Sequence, residues 1–232
     1  MILIFHDARL PQEAIRKLHD YGQGIPFLTH QLTYDPMAGH PDLFFCQIEQ
    51  QWIVAPNLPI NYRMILEQNN IDYVIGNNAV GPLTVNSTQY NVVISDRYLL
   101  HHLPYTDLSI RERKGMRTEL QVNQGYARCS TLPLRGDAFL TSDVGIAQIL
   151  QKNGLTYCLV SPESILLPGY RYGFIGGCMG IDQNKVFIIG SLQYHPDGDT
   201  IRTFLQNWGY EVIELYQGAL FDGGSLFFIQ GN

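Results

Sequence analysis

Two short motifs contain side chains that could support catalysis or ligand binding. His40-Pro-Asp42 places an imidazole and a carboxylate two residues apart, and Gly176-Gly-Cys178 presents a thiol after two glycines. A histidine can move protons near neutral pH, a thiolate can attack an electron-poor carbon, and a carboxylate can hold a planar cation through paired hydrogen bonds. These residue types indicate chemistry on a cationic small molecule, provided that the fold brings them together.

Both motifs also have purely structural interpretations. A His-Pro-Asp sequence is common in turns, where the aspartate accepts a hydrogen bond from a backbone N–H. Cys178 could be a small residue that fills a crowded interior. His101 and His102 are adjacent, so their side chains point apart in regular structure, and no third ligand is evident. We therefore expect no metal site.

Two further carboxylates are candidates for the same site. Asp222 stands before a glycine pair and Ser225, and Asp137 belongs to Arg135-Gly-Asp137, which has the form of a hairpin turn. Carboxylates that lie close together raise each other's pKa unless a cation sits between them. A site that contains them is therefore expected to prefer a cation over a phosphate or a carboxylate.

The composition excludes several classes of protein. The chain has 232 residues, of which 45% are apolar, so we expect one globular domain over residues 1–232. Fifteen basic and 21 acidic residues give a net charge of −6, which does not favour nucleic acid or an anionic membrane as a partner. The apolar N-terminus stops at His6-Asp7, unlike a signal peptide, and the four cysteines form no CxxC pair. Reduced cysteines in a cytoplasmic protein are expected.

Five short apolar strands recur along the chain, and each ends in a small or polar residue. They are Ile2–Asp7, Trp52–Asn57, Val92–Asp96, Ala138–Asp143 and Val186–Ser191. Their first residues are 40 to 50 positions apart, and the interval from the fifth strand through both chain ends to the first is of the same size. The sequence therefore predicts a ring of five units, in which the first strand pairs with the segment Asp222–Ile229.

The segments around each strand define the repeating unit. Apolar residues three or four apart predict four helices, within Pro11–Tyr21, Pro59–Asn70, Val144–Asn153 and Asp199–Trp208. In the third unit, Arg97–Lys114 is irregular. A third strand follows each helix. Each of the five apolar strands is also preceded by a strand that forms a hairpin with it. These preceding strands lie in His40–Ile48, Pro82–Asn86, Ala127–Leu132, Phe174–Ile181 and Asp222–Ile229. The prediction is an α+β fold of ββαβ units.

The repeat brings the chemical motifs together. An alignment of Asp42-Leu-Phe-Phe with Ser225-Leu-Phe-Phe places Asp42, Ser225 and Cys178 at equivalent positions in their units. Equivalent residues of a closed ring face the same axis, so these side chains are expected to converge. His40 and Asp42, two apart on a strand, face the same way.

Five ββαβ units in a ring resemble the pentein, or guanidino-group-modifying, superfamily, which has a five-bladed β/α propeller. Its members include arginine and agmatine deiminases, dimethylarginine hydrolases, amidinotransferases and a non-enzymatic ribosome anti-association factor. His40-Pro-Asp42 has the form of the superfamily's His-x-Asp, and Gly176-Gly-Cys178 and Gly223-Gly-Ser225 stand where it has Gly-Gly-acid. Together with the resemblance, the motifs and their positions predict the following roles: His40 and Cys178 catalytic, and Asp42, Asp137, Asp222 and Ser225 substrate-binding.

One departure from the superfamily pattern leaves two functions open. Phe228 stands where the nucleophilic cysteine of the last strand is expected. The first possible function is a hydrolase or transferase acting on the C–N bond of a guanidine or amidine. The second is a non-catalytic pentein that binds a ligand or a protein. In the first case the partner is a cationic small molecule, and no cofactor is expected.

Overall fold

A computed structural model describes residues 1–231; Asn232, the last position of the predicted domain, lies outside the described residues. The strands are β1 (Ile2–Asp7), β2 (Gln23–Phe27), β3 (Phe45–Ile48), β4 (Gln51–Val54), β5 (Tyr73–Ile75), β6 (Val93–Ile94), β7 (Tyr98–His101), β8 (Thr118–Gln121), β9 (Thr131–Leu134), β10 (Ala138–Thr141), β11 (Thr156–Leu159), β12 (Ile165–Leu166), β13 (Met179–Asp182), β14 (Lys185–Ile188), β15 (Glu211–Glu214), β16 (Leu220–Phe221) and β17 (Phe227–Gln230).

Within residues 1–231, seven α-helices connect or precede these strands. They are α1 (Gln12–Leu18), α2 (Ile60–Gln68), α3 (Thr84–Ser87), α4 (Leu108–Glu112), α5 (Ala127–Ser130), α6 (Val144–Lys152) and α7 (Gly198–Asn207). The four helices predicted from apolar spacing are confirmed as α1, α2, α6 and α7. In α6, Ile146 and Leu150 are buried on one face, and Asp143 accepts a hydrogen bond from the N–H of Ile146 at the start of the helix.

The strands form five three-stranded sheets with one connectivity. In each sheet a first strand pairs antiparallel with a second strand, which pairs parallel with a third, reached through a helical crossover. The sheets are β17-β1-β2, β3-β4-β5, β6-β7-β8, β9-β10-β11 and β13-β14-β15, and β12 and β16 form a separate parallel pair. The fold mixes helices with small sheets, as predicted.

The first strand of the chain pairs with its last described strand. Ile2 is opposite Gln230, Leu3 is opposite Ile229, and Phe5 is opposite Phe227. The expected pairing of the two terminal strands is therefore confirmed. β1 lies in the middle of its sheet, and its residues Leu3, Ile4 and Phe5 are fully buried.

The third unit differs from its prediction. The segment Val92–Asp96, predicted as a second strand, contains β6, which is the first strand of its sheet. The second strand is β7, which lies in the segment predicted to be irregular. Pro82–Asn86, predicted as a strand, overlaps α3. An apolar run of four residues can serve as either strand of a hairpin, and only the pairing partners decide which one it is.

The first strands begin later than predicted because short helical turns precede them. Pro41–Leu43 is a 3₁₀ turn before β3, Gly176–Cys178 is another before β13, and α5 precedes β9. His40 and Asp42 therefore lie at a turn and not on a strand, as their structural interpretation expected. The expected hydrogen bond from a backbone N–H to the Asp42 carboxylate is not found within residues 1–231, where this carboxylate accepts from the Cys129 thiol and the Ser225 hydroxyl. Proline at the first position of the 3₁₀ turn favours this geometry, since its φ is already fixed near the helical value.

The described residues bury an extensive apolar core that includes one fully buried aromatic group. Phe5, Phe27 and Phe45 pack together, with ring centroids 5.0 to 5.8 Å apart. The four cysteines are free, and three of them are buried. No helix within residues 1–231 is long and apolar enough to cross a membrane.

Candidate functional site

Six polar side chains are buried together where the segments before several first strands approach one another. We call this group the buried polar cluster; its members are His40, Asp42, Asn91, Cys129, Asp222 and Ser225. None of them is more than 1% exposed. Burying polar groups is costly unless they find partners, so their contacts indicate what the cluster can do.

A shared location in the sheets brings these residues together. Asn91, Cys129 and Ser225 each lie two residues before the first strand of a sheet, namely β6, β9 and β17. Asp42 lies in the 3₁₀ turn before β3. The fifth sheet, β13-β14-β15, contributes a backbone carbonyl. The carbonyl of Gly177, just before β13, accepts a hydrogen bond from the N–H of Ser225 at 2.9 Å.

Asp42 is the centre of the cluster. Its Oδ2 accepts a hydrogen bond from the Cys129 thiol at 2.8 Å and lies 3.1 Å from the Ser225 hydroxyl, which also lies 3.2 Å from the carbonyl of Gly176. The backbone N–H of Asp42 donates to the carbonyl of Gly224 at 3.3 Å. Its other carboxylate oxygen, Oδ1, is buried and has no hydrogen-bond partner within the part of the chain that the structure describes.

Asn91 holds the thiol from the other side. Its Oδ1 accepts from the backbone N–H of Cys129 at 3.0 Å, and its Nδ2 lies 3.3 Å from both the Cys129 sulfur and the carbonyl of Asp42. This amide therefore fixes the position of Cys129 relative to Asp42. Burial raises the pKa of the Cys129 thiol well above its usual value, and the charges of Asp42 and Asp222 raise it further.

His40 and Asp222 face each other within the cluster. His40 Nε2 lies 4.0 Å from Asp222 Oδ1, and neither ring nitrogen of His40 has a hydrogen-bond partner among residues 1–231. Asp222 accepts from the N–H groups of Phe174 at 2.8 Å and Gly224 at 3.2 Å. Burial is the largest influence on the Asp222 carboxyl and raises its pKa to about 6, against the opposing effect of His40.

Glycines allow the carboxylate and the imidazole to approach the backbone. A Cβ at Gly177 would lie 1.9 Å from Asp222 Oδ1, and a Cβ at Gly224 would lie 2.3 Å from His40 Cβ. Gly224 also has a φ of +66°, which favours glycine. The two glycine pairs of the sequence therefore provide space for His40 and Asp222.

Four of the predicted site residues, namely His40, Asp42, Asp222 and Ser225, belong to the cluster. Cys178 takes a different position from the one predicted. It directly precedes β13, so it does not occupy the place of Ser225, which is two residues before its strand. Its thiol donates to the carbonyl of Phe174 at 3.3 Å, and burial raises its pKa well above the usual value. A raised pKa does not favour Cys178 as a nucleophile, and the same holds for Cys129 while the cluster has no bound cation.

The hydrogen bonds of Asp137 lead to residues outside the cluster. Its Oδ1 accepts from the Ser95 hydroxyl at 2.7 Å and from the N–H of Arg97 at 3.0 Å, and its Oδ2 accepts from Arg97 Nε at 2.6 Å. The carboxylate thus connects the turn between β9 and β10 to the neighbouring β6–β7 hairpin. Its location at a hairpin tip was visible in the sequence, and it places Asp137 at the opposite end of β9 from Cys129.

Cys129 and Asn91 are two site residues that the sequence patterns do not predict. Cys129 is expected from its apolar surroundings to be a structural thiol, and Asn91 belongs to none of the motifs. Their common position two residues before a first strand is a usable signal, but only once the starts of β6 and β9 are known. The predicted strand Ala127–Leu132 placed Cys129 inside a strand, which removed that signal.

Phe228, at the expected cysteine position, lies outside the cluster and lines a cavity of about 180 Å³. Residues from the first strands of all five sheets line the same cavity, among them Phe45, Ile94, Leu132, Ile181 and Phe227. Arg128 also lines it, and donates to the carbonyl of Gly176 at 3.0 Å. Burial lowers the pKa of this guanidinium, whereas the charge of Asp42 opposes the effect.

Solved structures of guanidino-group-modifying enzymes share this fold. Agmatine deiminase of C. jejuni with substrate bound has a TM-score of 0.58 at 10% identity, over 96% of this chain and 80% of that chain. DDAH from Pseudomonas aeruginosa, complexed with citrulline, has a TM-score of 0.54 at 11% identity, over 92% and 90%. SxtG, an amidinotransferase from Microseira wollei, has a TM-score of 0.50 at 12% identity, over 92% and 87%. The resemblance to the pentein superfamily is confirmed at the level of the fold.

Sequence similarity gives a more limited result. No curated protein matches the chain by sequence. The profile of a family described as a family of unknown function (DUF6873) matches residues 5–227, and the chain therefore belongs to that family.

Proposed function

We propose that the buried polar cluster binds the guanidino or amidino group of a small molecule. The observation that carries this proposal is a set of buried polar atoms without partners: Oδ1 of Asp42 and both ring nitrogens of His40. Buried polar atoms in native proteins are nearly always paired. A planar ligand with several N–H donors would supply the missing partner of Asp42.

The charge of the cluster supports a cationic ligand. Asp42 and Asp222 are both buried, and neither forms an ion pair with a lysine or an arginine within residues 1–231. Burial is the main cause of the raised pKa of Asp222, and the charge of Asp42 raises it further. A positive charge beside the two carboxylates would oppose both effects. A bound guanidinium would provide that charge, and a phosphate or carboxylate ligand would increase the repulsion.

The arrangement of the sheets supports a common axis through the site. The cavity lined by all five first strands is the expected consequence of five sheets placed around one axis in a single domain. In this arrangement, the cluster and the cavity lie at different positions along the common axis. The shared fold with enzymes whose structures contain citrulline or substrate makes the cluster the expected ligand site.

Ligand entry requires a movement, because the cluster is closed. The segment 169–173, which begins and ends with glycine, contacts the cluster: Gly173 packs against Asp222, and the following residue, Phe174, donates to it. Tyr170 and Tyr172 within this segment are exposed to 51% and 40%. Displacement of this segment would open a path to Asp222.

Thiol-dependent cleavage of the bound C–N bond is the second candidate function, and the position of Cys129 favours it. In place of Cys178, Cys129 would be the nucleophile, and His40 would transfer the proton. A cation bound to Asp42 would lower the raised pKa of the neighbouring thiol. If this function is correct, the Cys129 sulfur displaces ammonia or the alkyl amine from agmatine or arginine, and water then hydrolyses the sulfur-bound intermediate and frees the thiol. The displaced amine is measured, and the Cys129→Ser variant is expected to release none.

Thermal unfolding with and without ligand tests the binding proposal. Agmatine and arginine are expected to raise the melting temperature, because they bind the native state. Asp42→Asn removes charge at nearly constant shape and is expected to abolish the shift. Asp137→Asn is the matched control, since that carboxylate pairs with Arg97, and it retains the shift even if its own melting temperature is lower.

A non-catalytic protein-binding role gives a different result. It predicts no ligand shift in the wild-type protein and only a lower melting temperature for Asp42→Asn. Urea, which has the planar shape without the charge, is the control ligand at the same low concentration. An equal shift from urea, or no shift from any guanidine or amidine, would exclude cation binding at this cluster.

A further inference from the structure

We propose that His40, Asp42 and Cys129 form a binding site for a divalent transition metal, with zinc the best match. One ligand atom from each of the three residues lies within 4.8 Å of the other two. All three side chains are buried, and none is more than 1% exposed. This proposal does not depend on guanidine binding and departs from the expectation of no metal site.

The buried atoms without partners are an independent observation in favour of a ligand. Both nitrogens of His40 and Oδ1 of Asp42 lack hydrogen-bond partners among the described residues. An imidazole nitrogen, a carboxylate oxygen and a thiolate sulfur are the three donor types that zinc takes in proteins, at about 2.0–2.3 Å. Tetrahedral zinc with such bonds separates its ligand atoms by about 3.3–3.8 Å. Each separation between two ligand atoms must therefore shorten by about 1.5 Å at most, given the 4.8 Å limit.

The proton of the Cys129 thiol lies between the sulfur and the Asp42 carboxylate, two of the proposed metal-binding groups. The thiol donates to Asp42 Oδ2 across 2.8 Å. On metal binding, the S–H bond breaks, a sulfur–metal bond forms and the proton passes to the buffer, so that one proton leaves for each metal ion bound. No oxidant or reductant is required, and metal affinity is expected to rise with pH because the thiol must lose its proton.

The neighbouring side chains are suited to support a metal. Asn91 Nδ2, 3.3 Å from the Cys129 sulfur, can donate a hydrogen bond to a metal-bound thiolate. Asp222 Oδ1, 4.0 Å from His40 Nε2, can orient the imidazole so that Nδ1 faces the metal. Carboxylates placed behind a ligating histidine have this role in many metal sites. Ser225 or a water is available for the fourth position.

The adjacent histidines His101 and His102, which the sequence suggests as metal ligands, form hydrogen bonds with other groups. His101 Nδ1 lies 2.7 Å from the Thr106 hydroxyl, and its Nε2 lies 2.7 Å from the carbonyl of Gly125. His102 Nδ1 lies 3.0 Å from the carbonyl of Val122. Both ring nitrogens of His101 therefore have partners, so the pair does not offer two free ligands to one metal.

Titration of the metal-free protein with cobalt(II) tests the site. The full chain, treated with a chelator that is then removed, is expected to bind one cobalt ion. Binding gives a near-ultraviolet sulfur-to-metal charge-transfer band and the intense visible bands of tetrahedral cobalt. Zinc added at equal concentration is expected to remove these bands. Release of one proton for each ion, measured in weak buffer, is the second readout.

Matched variants identify the ligands. Cys129→Ser is expected to lose the charge-transfer band, whereas Cys178→Ser, which removes an equally buried thiol, retains it. His40→Gln keeps the Cys129 thiol and is expected to weaken cobalt binding at least tenfold. It therefore gives a result even if Cys129→Ser does not fold. Absence of the charge-transfer band in the wild-type protein, or its persistence in Cys129→Ser, would overturn the proposal. The charge-transfer band reports a bond between cobalt and the Cys129 sulfur. A negative result in the guanidine-binding experiments would therefore not contradict the metal site.

Discussion

The Cys129 thiol donates a hydrogen bond to Asp42 Oδ2 at 2.8 Å, although the two residues are 87 positions apart in the chain. Asp42 precedes β3 and Cys129 precedes β9, so the bond joins two different sheets. It keeps the thiol protonated and directs Asp42 towards the interior of the cluster. The same contact thus organises a candidate site and connects two repeating units.

Thiol accessibility predicts the order of cysteine alkylation. Cys158 is partly exposed, whereas Cys46, Cys129 and Cys178 are buried. Burial raises the pKa of all four thiols. Iodoacetamide at neutral pH is therefore expected to label Cys158 first, and the others only as the protein unfolds. Peptide mass spectrometry over a time course measures the order; early labelling of Cys178 would restore its role as nucleophile.

Two glycines with nearly equal φ separate a steric effect from a backbone effect. Gly224 and Gly154 have φ values of +66° and +67°, but a Cβ meets His40 at 2.3 Å in the first case and nothing within 4 Å in the second. Gly154→Ala is expected to cost about 1–2 kcal/mol from the left-handed backbone alone. Gly224→Ala is expected to cost at least about 3 kcal/mol, because it adds a clash in the cluster. Urea unfolding measures both, and equal losses would contradict the packing described for His40.

His101 gives stability a definite pH dependence. It is fully buried, and burial lowers its pKa to about 4 from 6.5. As the pH falls below 6.5, the unfolded chain takes up a proton that the folded chain does not, so this residue's contribution to stability decreases until the pH reaches about 4. Between pH 7 and 5 the loss is about 2 kcal/mol.

The His101→Gln variant isolates that contribution. The difference in unfolding free energy between wild type and variant is expected to shrink by about 2 kcal/mol from pH 7 to pH 5, whatever the variant's stability at pH 7. Urea unfolding at several pH values within this range provides the measurement. A difference that stays constant would show that His101 titrates normally in the folded protein.

Pairing of the terminal strands predicts that the chain tolerates circular permutation. The N–H of Gly231 donates to the carbonyl of Met1 at 3.1 Å, so a short glycine-serine linker can join them. New termini at the exposed turn between Asn153 and Gly154 leave every strand intact. We expect the permutant to fold with a stability within about 2 kcal/mol of the original. Far-ultraviolet circular dichroism and urea unfolding test this, and an unfolded permutant would contradict the proposed ring.

Local sequence patterns were sufficient for much of the fold. Apolar spacing located α1, α2, α6 and α7, since an amphipathic helix must repeat its apolar face every three to four residues. The recurrence of apolar strands predicted the repeating unit and the pairing of β1 with β17. It failed in the third unit, where β6 and β7 are both short and apolar and their order within the sheet depends on partners far along the chain.

The sequence by itself also determined which residue types are available for the site: His40 and Asp42 in one motif, and Asp222 and Ser225 in another. Only the tertiary structure decided which thiol joins them. Cys178 follows two glycines and looked equivalent to Ser225, but a helical turn ends directly at β13 and shifts it by one residue. Cys129, two residues before β9, faces Asp42 instead. A shift of one residue reverses the direction of a side chain near a strand, and the strand's starting point is set by pairing with distant segments, not by the local sequence.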